Sequence, residues 1–124
     1  MRTLVFILAA LVLGPYAVAE DESQPIRFII FNRLGPNFSE KTRETEAEAL
    51  RQHVVLYRRL AREGIIEFGG RLEGEPALGI SVTRPGVHRD QLLELLEESA
   101  ITKGLIETEI REMEVQLPAP EEVG

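Results

Sequence analysis

The longest periodic pattern of apolar residues lies between Thr42 and Gly64. Apolar positions recur there at spacings of three and four residues, which predicts one amphipathic helix over the whole segment. Gly64 marks the expected end, because glycine commonly follows the last turn of a helix. His53 is expected at the edge of the apolar stripe, which consists of Ala47, Leu50, Val54, Tyr57, Leu60 and Ala61.

Four shorter segments have the alternation, or the β-branched and aromatic content, that is typical of strands. The first of them is apolar on both faces, which predicts a central strand that is covered on both sides. Gly69-Gly70 interrupts the second, which indicates either a bulge or a close approach of two backbones. The predicted strands are residues 26–32, 65–72, 77–83 and 105–117.

A second amphipathic helix is predicted over residues 87–98, with Leu92, Leu95 and Leu96 as its buried stripe, and an irregular link over residues 99–104. The resulting order of strand, helix, strand, strand, helix and strand predicts an α+β fold. Its expected form is a ferredoxin-like βαββαβ antiparallel sheet with both helices on one face. The other face is then uncovered, and its apolar residues predict a homodimer.

The two ends of the chain have a different character from the region between them. Residues 1–19 resemble an export signal, with Arg2, an apolar run from Leu4 to Leu13 and the cleavage pattern Ala17-Val18-Ala19. A membrane anchor is the alternative, but the run is short and Gly14-Pro15 breaks it. We therefore expect a periplasmic or secreted protein with a linker at 20–25, one domain at 26–117 and a mobile acidic tail at 118–124.

Composition excludes several classes of function. Cleavage after Ala19 leaves 124 − 19 = 105 residues with a formal net charge of −8, since Arg2 is the only charge removed. An acidic chain is not expected to bind nucleic acid or anionic lipid. The chain has no cysteine, which excludes disulfides, thiol nucleophiles and thiolate metal sites. Two distant histidines make a poor metal site, and the sequence has no Walker, Rossmann or G-x-S-x-G motif, so no metal and no cofactor are expected.

Short landmarks in a fixed order suggest a family. The region from Ile26 to Val115 resembles the YciI-like (YCII-related) family, whose members are small dimeric α+β barrel proteins. The landmarks that carry the resemblance are Gly35-Pro36-Asn37, His53-x-x-x-Tyr57-x-x-Leu60-x-x-x-Gly64, Gly69-Gly70 and Gly104-Leu105.

The resemblance implies a histidine and an aspartate that act as a pair in a pocket between helix and sheet. His53 matches the histidine. The family's Asp-Pro falls on Glu98-Ser99 when Gly104-Leu105 is aligned, and its usual Gly-Pro becomes Gly70-Arg71. Members that look enzymatic resemble isomerases or dehydrochlorinases that act on small ring compounds and lactones.

Each candidate residue also has an ordinary structural interpretation. His53 can be a general base that Glu98 orients, or a histidine at the edge of the core that bonds a backbone carbonyl. Tyr57 can donate to a substrate oxygen, or simply pack. Arg71 can bind a carboxylate or form a surface ion pair, and Asn32 and Arg33 can border a pocket or belong to an ordinary loop.

Two functional hypotheses follow. In the first, an exported YciI-like homodimer binds a small organic ligand, anionic if Arg71 faces the pocket, without turnover, because its histidine–carboxylate pair has degenerated. In the second, the same protein is an isomerase or lyase of the dehydrochlorinase type that uses His53 as general acid and base. Contact between His53 and Glu98 in one concave pocket would favour the enzyme.

Overall fold

The computed structural model describes residues 26–117. The predicted signal peptide at 1–19, the linker at 20–25 and the acidic tail at 118–124 lie outside the described residues. Within that range no helix has the length and apolarity needed to cross a bilayer. The elements in chain order are β1 (Ile26–Leu34), α1 (Glu40–Thr45), α2 (Ala47–Arg62), β2 (Ile66–Leu72), β3 (Leu78–Thr83), α3 (Arg89–Leu95), α4 (Ser99–Thr102) and β4 (Ile106–Glu114).

The four strands form one antiparallel sheet in the order β2-β3-β1-β4. The predicted α+β class is confirmed, and this strand order is compatible with a ferredoxin-like arrangement. β1 is central, as its two apolar faces predicted, and it pairs with β4 along its whole length from Ile26 to Leu34. The hairpin of β2 and β3 completes the other half of the sheet.

The prediction of one continuous helix over residues 42–64 is wrong, because the segment contains two helices. α1 begins after Ser39, whose hydroxyl accepts from the N–H of Thr42, and the chain leaves helical geometry at Glu46. None of the residues of α1 is buried. Packing therefore does not hold α1 in line with α2. The apolar stripe begins only at Ala47, after the break, so its periodicity does not show where the first helix ends.

The buried face of α2 is also rotated from the predicted stripe. Ala47, Val54 and Ala61 are exposed, whereas Ala49 and Leu60 are buried. His53 consequently lies within the inward face of the helix rather than at its edge. The expected end of the helix is confirmed, since Gly64 follows the last turn with a φ of +81°.

The bulge in β2 lies before the two glycines and not at them. The register with β3 shifts between Ile66 and Phe68, so Ile66 packs in the core while Phe68 is 61% exposed on the opposite face. Gly69 instead meets the alternative expectation of a close backbone approach. A Cβ atom there would lie 2.6 Å from the carbonyl oxygen of Ile80.

The predicted second helix is too long, and the predicted link after it is partly helical. α3 ends at Leu95, and residues 99–102 form the single turn α4, with Glu98 at its N-cap position. Leu92 and Leu96 are buried as expected, and they fix α3 on the sheet. The break between α3 and α4 turns the backbone at Glu98, which directs its side chain toward α2.

The core lies between the helices and one face of the sheet. It forms two clusters, and in both of them helix residues meet the strand residues that face the same side. The first contains Phe28, Ile30, Leu60, Ile66, Val87, Leu92 and Leu96. The second contains Ala49, Ala100, Leu105 and Ile106.

Two of the sequence landmarks meet in space. The N–H of Gly35 donates to the carbonyl of Leu105 at 2.7 Å, and the N–H of Asn37 donates to that of Gly104 at 2.9 Å. The side-chain amide of Asn37 also donates to the carbonyl of Lys103 at 3.0 Å. The loop after β1 is thereby fastened to the turn before β4.

Candidate functional site

His53 and Glu98 are in direct contact although 45 residues separate them in the chain. Nδ1 of His53, on α2, lies 2.7 Å from Oε2 of Glu98, at the N-cap of α4. Only 17% of the His53 side chain and 7% of the Glu98 side chain are exposed. A carboxylate can only accept, so Nδ1 carries the hydrogen of this bond when Glu98 is ionised. Nε2 of His53 is then the nitrogen that can exchange a proton with a ligand.

His53 faces an open groove between α2 and the sheet. Two adjoining cavities of about 570 and 320 Å³ make up this groove, and Asn32, His53 and Gly79 line both of them. We call the two cavities together the His53 groove. The larger cavity is also lined by Arg33, Leu34, Arg71, Glu75, Pro76, Ala77, Leu78 and Ile106, and the smaller one by Val54, Tyr57, Arg58, Ala61, Ile66, Gly69, Gly70, Ile80 and Ser81.

One lateral row of residues across the sheet forms the floor of this groove. Arg71 is opposite Gly79, Gly79 is opposite Asn32, and Asn32 is opposite Thr108, so these four residues share the helix-side face. Gly79 presents no side chain beside Asn32, which leaves space above the backbone at the centre of the row. The row therefore offers a cation at one end and neutral polar groups at the other.

Asn32 and Thr108 are hydrogen-bonded to each other across the two strands. The hydroxyl of Thr108 donates to Oδ1 of Asn32. This contact uses Oδ1 of the amide and leaves Nδ2 as its donor. Asn32 lines both cavities of the His53 groove, and it is also near enough to the hydroxyl of Tyr57 to oppose the rise that burial causes in the pKa of that tyrosine.

Tyr57 lies one turn after His53 on α2 and packs against it. The two ring centroids are 4.7 Å apart, with the planes tilted by 44°. Burial raises the pKa of Tyr57 to about 12, and the charge of Glu98 adds to this effect. Asn32 and Thr108 partly oppose the rise, but neither has hydrogen-bond geometry to the hydroxyl, which has no partner within the described range. Tyr57 both packs and keeps its proton.

The two predicted arginines differ in availability. Nε of Arg33 donates to Glu107 at 3.0 Å, which holds the guanidinium on the strand β4 side. Arg71 is 72% exposed, and its nearest carboxylate, Glu73, lies 3.9 Å away, too far for a hydrogen bond. Of these two arginines, Arg71 is therefore the one whose guanidinium an incoming anion can reach.

Glu98 does not line the His53 groove. It borders a separate cavity of about 420 Å³ between α2 and α3, with Gln52, Arg59, Glu94 and Glu97 among its neighbours. Its second oxygen, Oε1, is buried without a partner among the described residues. Glu98 can act on a ligand in the groove only through His53, so it is a positioning residue and not a group that contacts the ligand.

Thr108 and Gly79 were missed as site residues by sequence reasoning. The alternation of Ile106, Thr108 and Ile110 correctly placed Thr108 on one face of the last strand. The register that sets it opposite Asn32 depends on pairing across 76 residues, and the sequence pattern alone does not specify that pairing. Gly79 carries no signal beyond its lack of a side chain.

Within residues 26–117 no group of three or more histidine and carboxylate side chains could hold a metal ion. Comparisons with known proteins add no family to this picture. No protein-family model matches the chain, and neither a curated protein nor a solved structure matches it. The arguments that follow rest on the geometry of the His53 groove.

Proposed function

We propose that this protein binds a small organic acid in the His53 groove and transfers a proton to or from it through His53. The observation that carries the proposal is the 2.7 Å contact between Nδ1 of His53 and Oε2 of Glu98 at the wall of an open groove. In an isomerisation one group removes a proton and returns it at another atom of the ligand, and in a lyase-type elimination the same group removes the proton while the leaving group departs with its electron pair, so His53 alone can handle the proton.

The roles of the two residues follow from their chemistry. Glu98 accepts from Nδ1, which fixes the ring orientation and leaves the lone pair of Nε2 toward the groove. When Nε2 takes a proton, the imidazolium is stabilised by the buried carboxylate that it already contacts. Proton uptake from a ligand therefore needs no rearrangement of the site.

The charge of the groove supports an anionic ligand. Arg71 stands at one end of the polar row, without a hydrogen-bonded carboxylate partner of its own. A guanidinium in this state can form two parallel hydrogen bonds with a ligand carboxylate. The apolar residues Leu34 and Ile106, which are paired on the helix-side face, also line the larger cavity and suit a carbon skeleton.

Binding without turnover is the second candidate. The observation that favours it is the substitution of Glu98-Ser99 for the Asp-Pro that the YciI-like resemblance implies. Exchange of a ligand C–H with D₂O separates the two functions. A proton-transfer site exchanges the hydrogen in the wild type and fails to do so in His53→Ala, whereas a binding module exchanges it in neither.

The larger proposal is that the domain is a YciI-like α+β barrel that forms a homodimer and is exported after cleavage behind Ala19. The order of the strands is compatible with that architecture. The sheet face opposite the helices supports a dimer, since Phe68 and Leu72 are 61% and 52% exposed there beside the half-buried Ile29 and Phe31.

A thermal-shift screen with small carboxylic acids tests the proposal. A ligand present at about 100 times its Kd stabilises the folded state by about 2.7 kcal/mol, or roughly 10 °C in a domain of this size. We expect the shift to be lost in His53→Ala and reduced in Arg71→Ala. His88→Ala is the matched control, because His88 is exposed at the N-cap of α3, and it should respond like the wild type. An equal shift in wild type and His53→Ala contradicts the proposal.

A further inference from the structure

The side-chain amide of Asn32 is held in one orientation by a residue on another strand. Thr108 donates its only hydroxyl hydrogen to Oδ1 of Asn32, and the two residues are directly opposed in the pairing of β1 with β4. Because Oδ1 is engaged on the β4 side, Nδ2 is directed away from β4. On that other side lies Gly79, which has no side chain to cover the amide.

The same amide borders both cavities of the His53 groove, next to His53. Its two N–H hydrogens are not used in the contact with Thr108, and one of them can be given to a ligand in place of the nearby hydroxyl of Tyr57. A donor that is oriented in advance and open to a cavity, beside a group that takes protons, is the arrangement that stabilises negative charge on a ligand oxygen.

We propose that Asn32 is the hydrogen-bond donor for an oxyanion of the ligand and that Thr108 is the positioning residue that keeps Nδ2 of Asn32 turned toward it. This inference rests on the proposed function and specifies the ligand further. The ligand carries an oxygen that becomes negative when His53 removes a proton, as in an enolisable carbonyl compound or a phenol.

The proton transfer is balanced without a co-reactant. Nε2 of His53 forms a bond to the proton, and the electron pair of the broken C–H or O–H bond remains on the ligand. In a carbonyl compound that pair becomes the C=C bond while the C=O π pair moves onto oxygen. The oxygen then accepts a hydrogen bond from Asn32, and the proton returns from His53 to complete an isomerisation.

The row of residues across the sheet also indicates how far apart two polar groups of the ligand lie. Arg71 is two strands away from Asn32, a backbone separation of about 10 Å. The arginine side chain is long enough to bring its guanidinium closer to the Asn32 amide than the two backbones are. The structure thus assigns a ligand with a carboxylate at one end and the ionising oxygen several bonds away.

4-Nitrophenol is a suitable probe, because its absorbance distinguishes the phenol from the phenolate while it is bound. The probe is titrated into the folded protein at fixed pH, which gives both its Kd and its protonation state. We expect the wild type to bind the phenolate form. Asn32→Asp keeps an oxygen acceptor for Thr108 but replaces the donor with a carboxylate oxygen, and it should weaken phenolate binding at least about tenfold.

The pair of variants at Thr108 tests the positioning role. Thr108→Val keeps the shape and the strand preference but removes the hydroxyl, so it should weaken phenolate binding about three- to tenfold and shift the bound probe toward the neutral phenol. Thr108→Ser restores the hydroxyl and should recover the wild-type Kd. The melting temperature of each variant is measured in parallel, and a purely structural role of Thr108 would change it without moving the phenolate spectrum.

The inference is overturned if the wild type does not bind the phenolate, if Thr108→Val binds it as tightly as the wild type, or if Thr108→Ser fails to rescue. Failure of the proposed function is distinguishable from these results. If carboxylic acids stabilise the wild type through His53 while the variants at Asn32 and Thr108 have no effect, only the present inference fails. If His53→Ala changes no ligand response, the function itself fails.

Discussion

The phenol of Tyr57 is the one group in the site whose ionisation the surroundings strongly oppose. It packs on the ring of His53, with Glu98 near enough for its negative charge to act on the phenol, and Asn32 and Thr108 on the other side. Burial is the largest cause of its raised pKa, and the carboxylate adds to it. At neutral pH Tyr57 is therefore a neutral wall of the groove and a possible donor, but never a base.

This shift predicts a loss of stability at alkaline pH. Below pH 10 both the folded and the unfolded chain hold the phenol proton, and the contribution of Tyr57 is constant. As the pH rises from about 10 to about 12, the unfolded chain releases the proton and the folded chain retains it. The free energy of unfolding should fall across this window by on the order of 2 kcal/mol.

Absorbance at 295 nm, which reports the phenolate, measures the ionisation directly. The chain has two tyrosines and no tryptophan, and the difference between the wild type and Tyr57→Phe isolates Tyr57 from Tyr16. We expect a midpoint near pH 12 in the folded protein. A midpoint near 10 in a protein that is still folded would show that the hydroxyl is open to water.

Glu98 reaches His53 from the break between two short helices. Its side chain brings Oε2 to 2.7 Å from Nδ1 of His53. The backbone makes this contact possible, because Glu98 is the extended N-cap residue of α4 and not part of α3.

Among the elements, the contact between the loop after β1 and the turn before β4 is the most tightly constrained. A Cβ atom on Gly35 would lie 2.3 Å from the carbonyl oxygen of Gly104, which is backbone and cannot move aside. Gly104 itself has a φ of +74°, a conformation that costs a residue with a side chain about 1 kcal/mol or more. Both landmarks are thus structural requirements of the fold.

Gly35→Ala should consequently destabilise the protein by about 2 kcal/mol or more, because the methyl group collides with backbone. The matched control is Gly70→Ala, in which the new methyl group meets no atom within 4 Å. Urea unfolding followed by circular dichroism measures both variants. Equal midpoints for the two would contradict the tight approach of the two loops.

The elements also show which parts of the fold and the site were accessible from the sequence. Alternation and helical periodicity predicted the four strands and their order along the chain, because these depend on neighbouring residues, but they placed His53 at the edge of the apolar stripe and not within the inward face of α2. The resemblance placed Glu98 beside His53. The division of α1 from α2, the turn α4 and the pairing of Asn32 with Thr108 were not predicted, because they depend on contacts between distant segments.

At the scale of the whole molecule, the uncovered sheet face is the main unexplained surface. The bulge between Ile66 and Phe68 reverses the direction of the strand's side chains and places an aromatic ring on this face. Leu72 on the same strand is also exposed. With half-buried apolar residues of β1 beside them, these side chains form a continuous patch that a second copy of the chain can cover.

The proposed homodimer predicts that Phe68→Lys is a monomer at concentrations at which the wild type is a dimer. A lysine at the centre of an apolar interface leaves a charge without a partner on association. Leu93→Lys is the control, because Leu93 is 46% exposed on α3, away from this face, and should remain dimeric. Sedimentation velocity over a roughly 100-fold range of protein concentration centred on about 10 μM distinguishes monomer from dimer. A wild type that is monomeric over this whole range would contradict the prediction.

The central claim is that Glu98 holds His53 with Nδ1 protonated and Nε2 free for a ligand. Long-range ¹H–¹⁵N correlation spectra of the two imidazoles, recorded at a pH where they are neutral, measure the tautomer directly, and exposed His88 serves as the internal reference. We predict that His53 is the Nδ1–H tautomer and that Glu98→Gln weakens this preference. An Nε2–H tautomer at His53 would contradict the account. So would a mixture of tautomers at His53 that matches the one at His88 and does not change in Glu98→Gln.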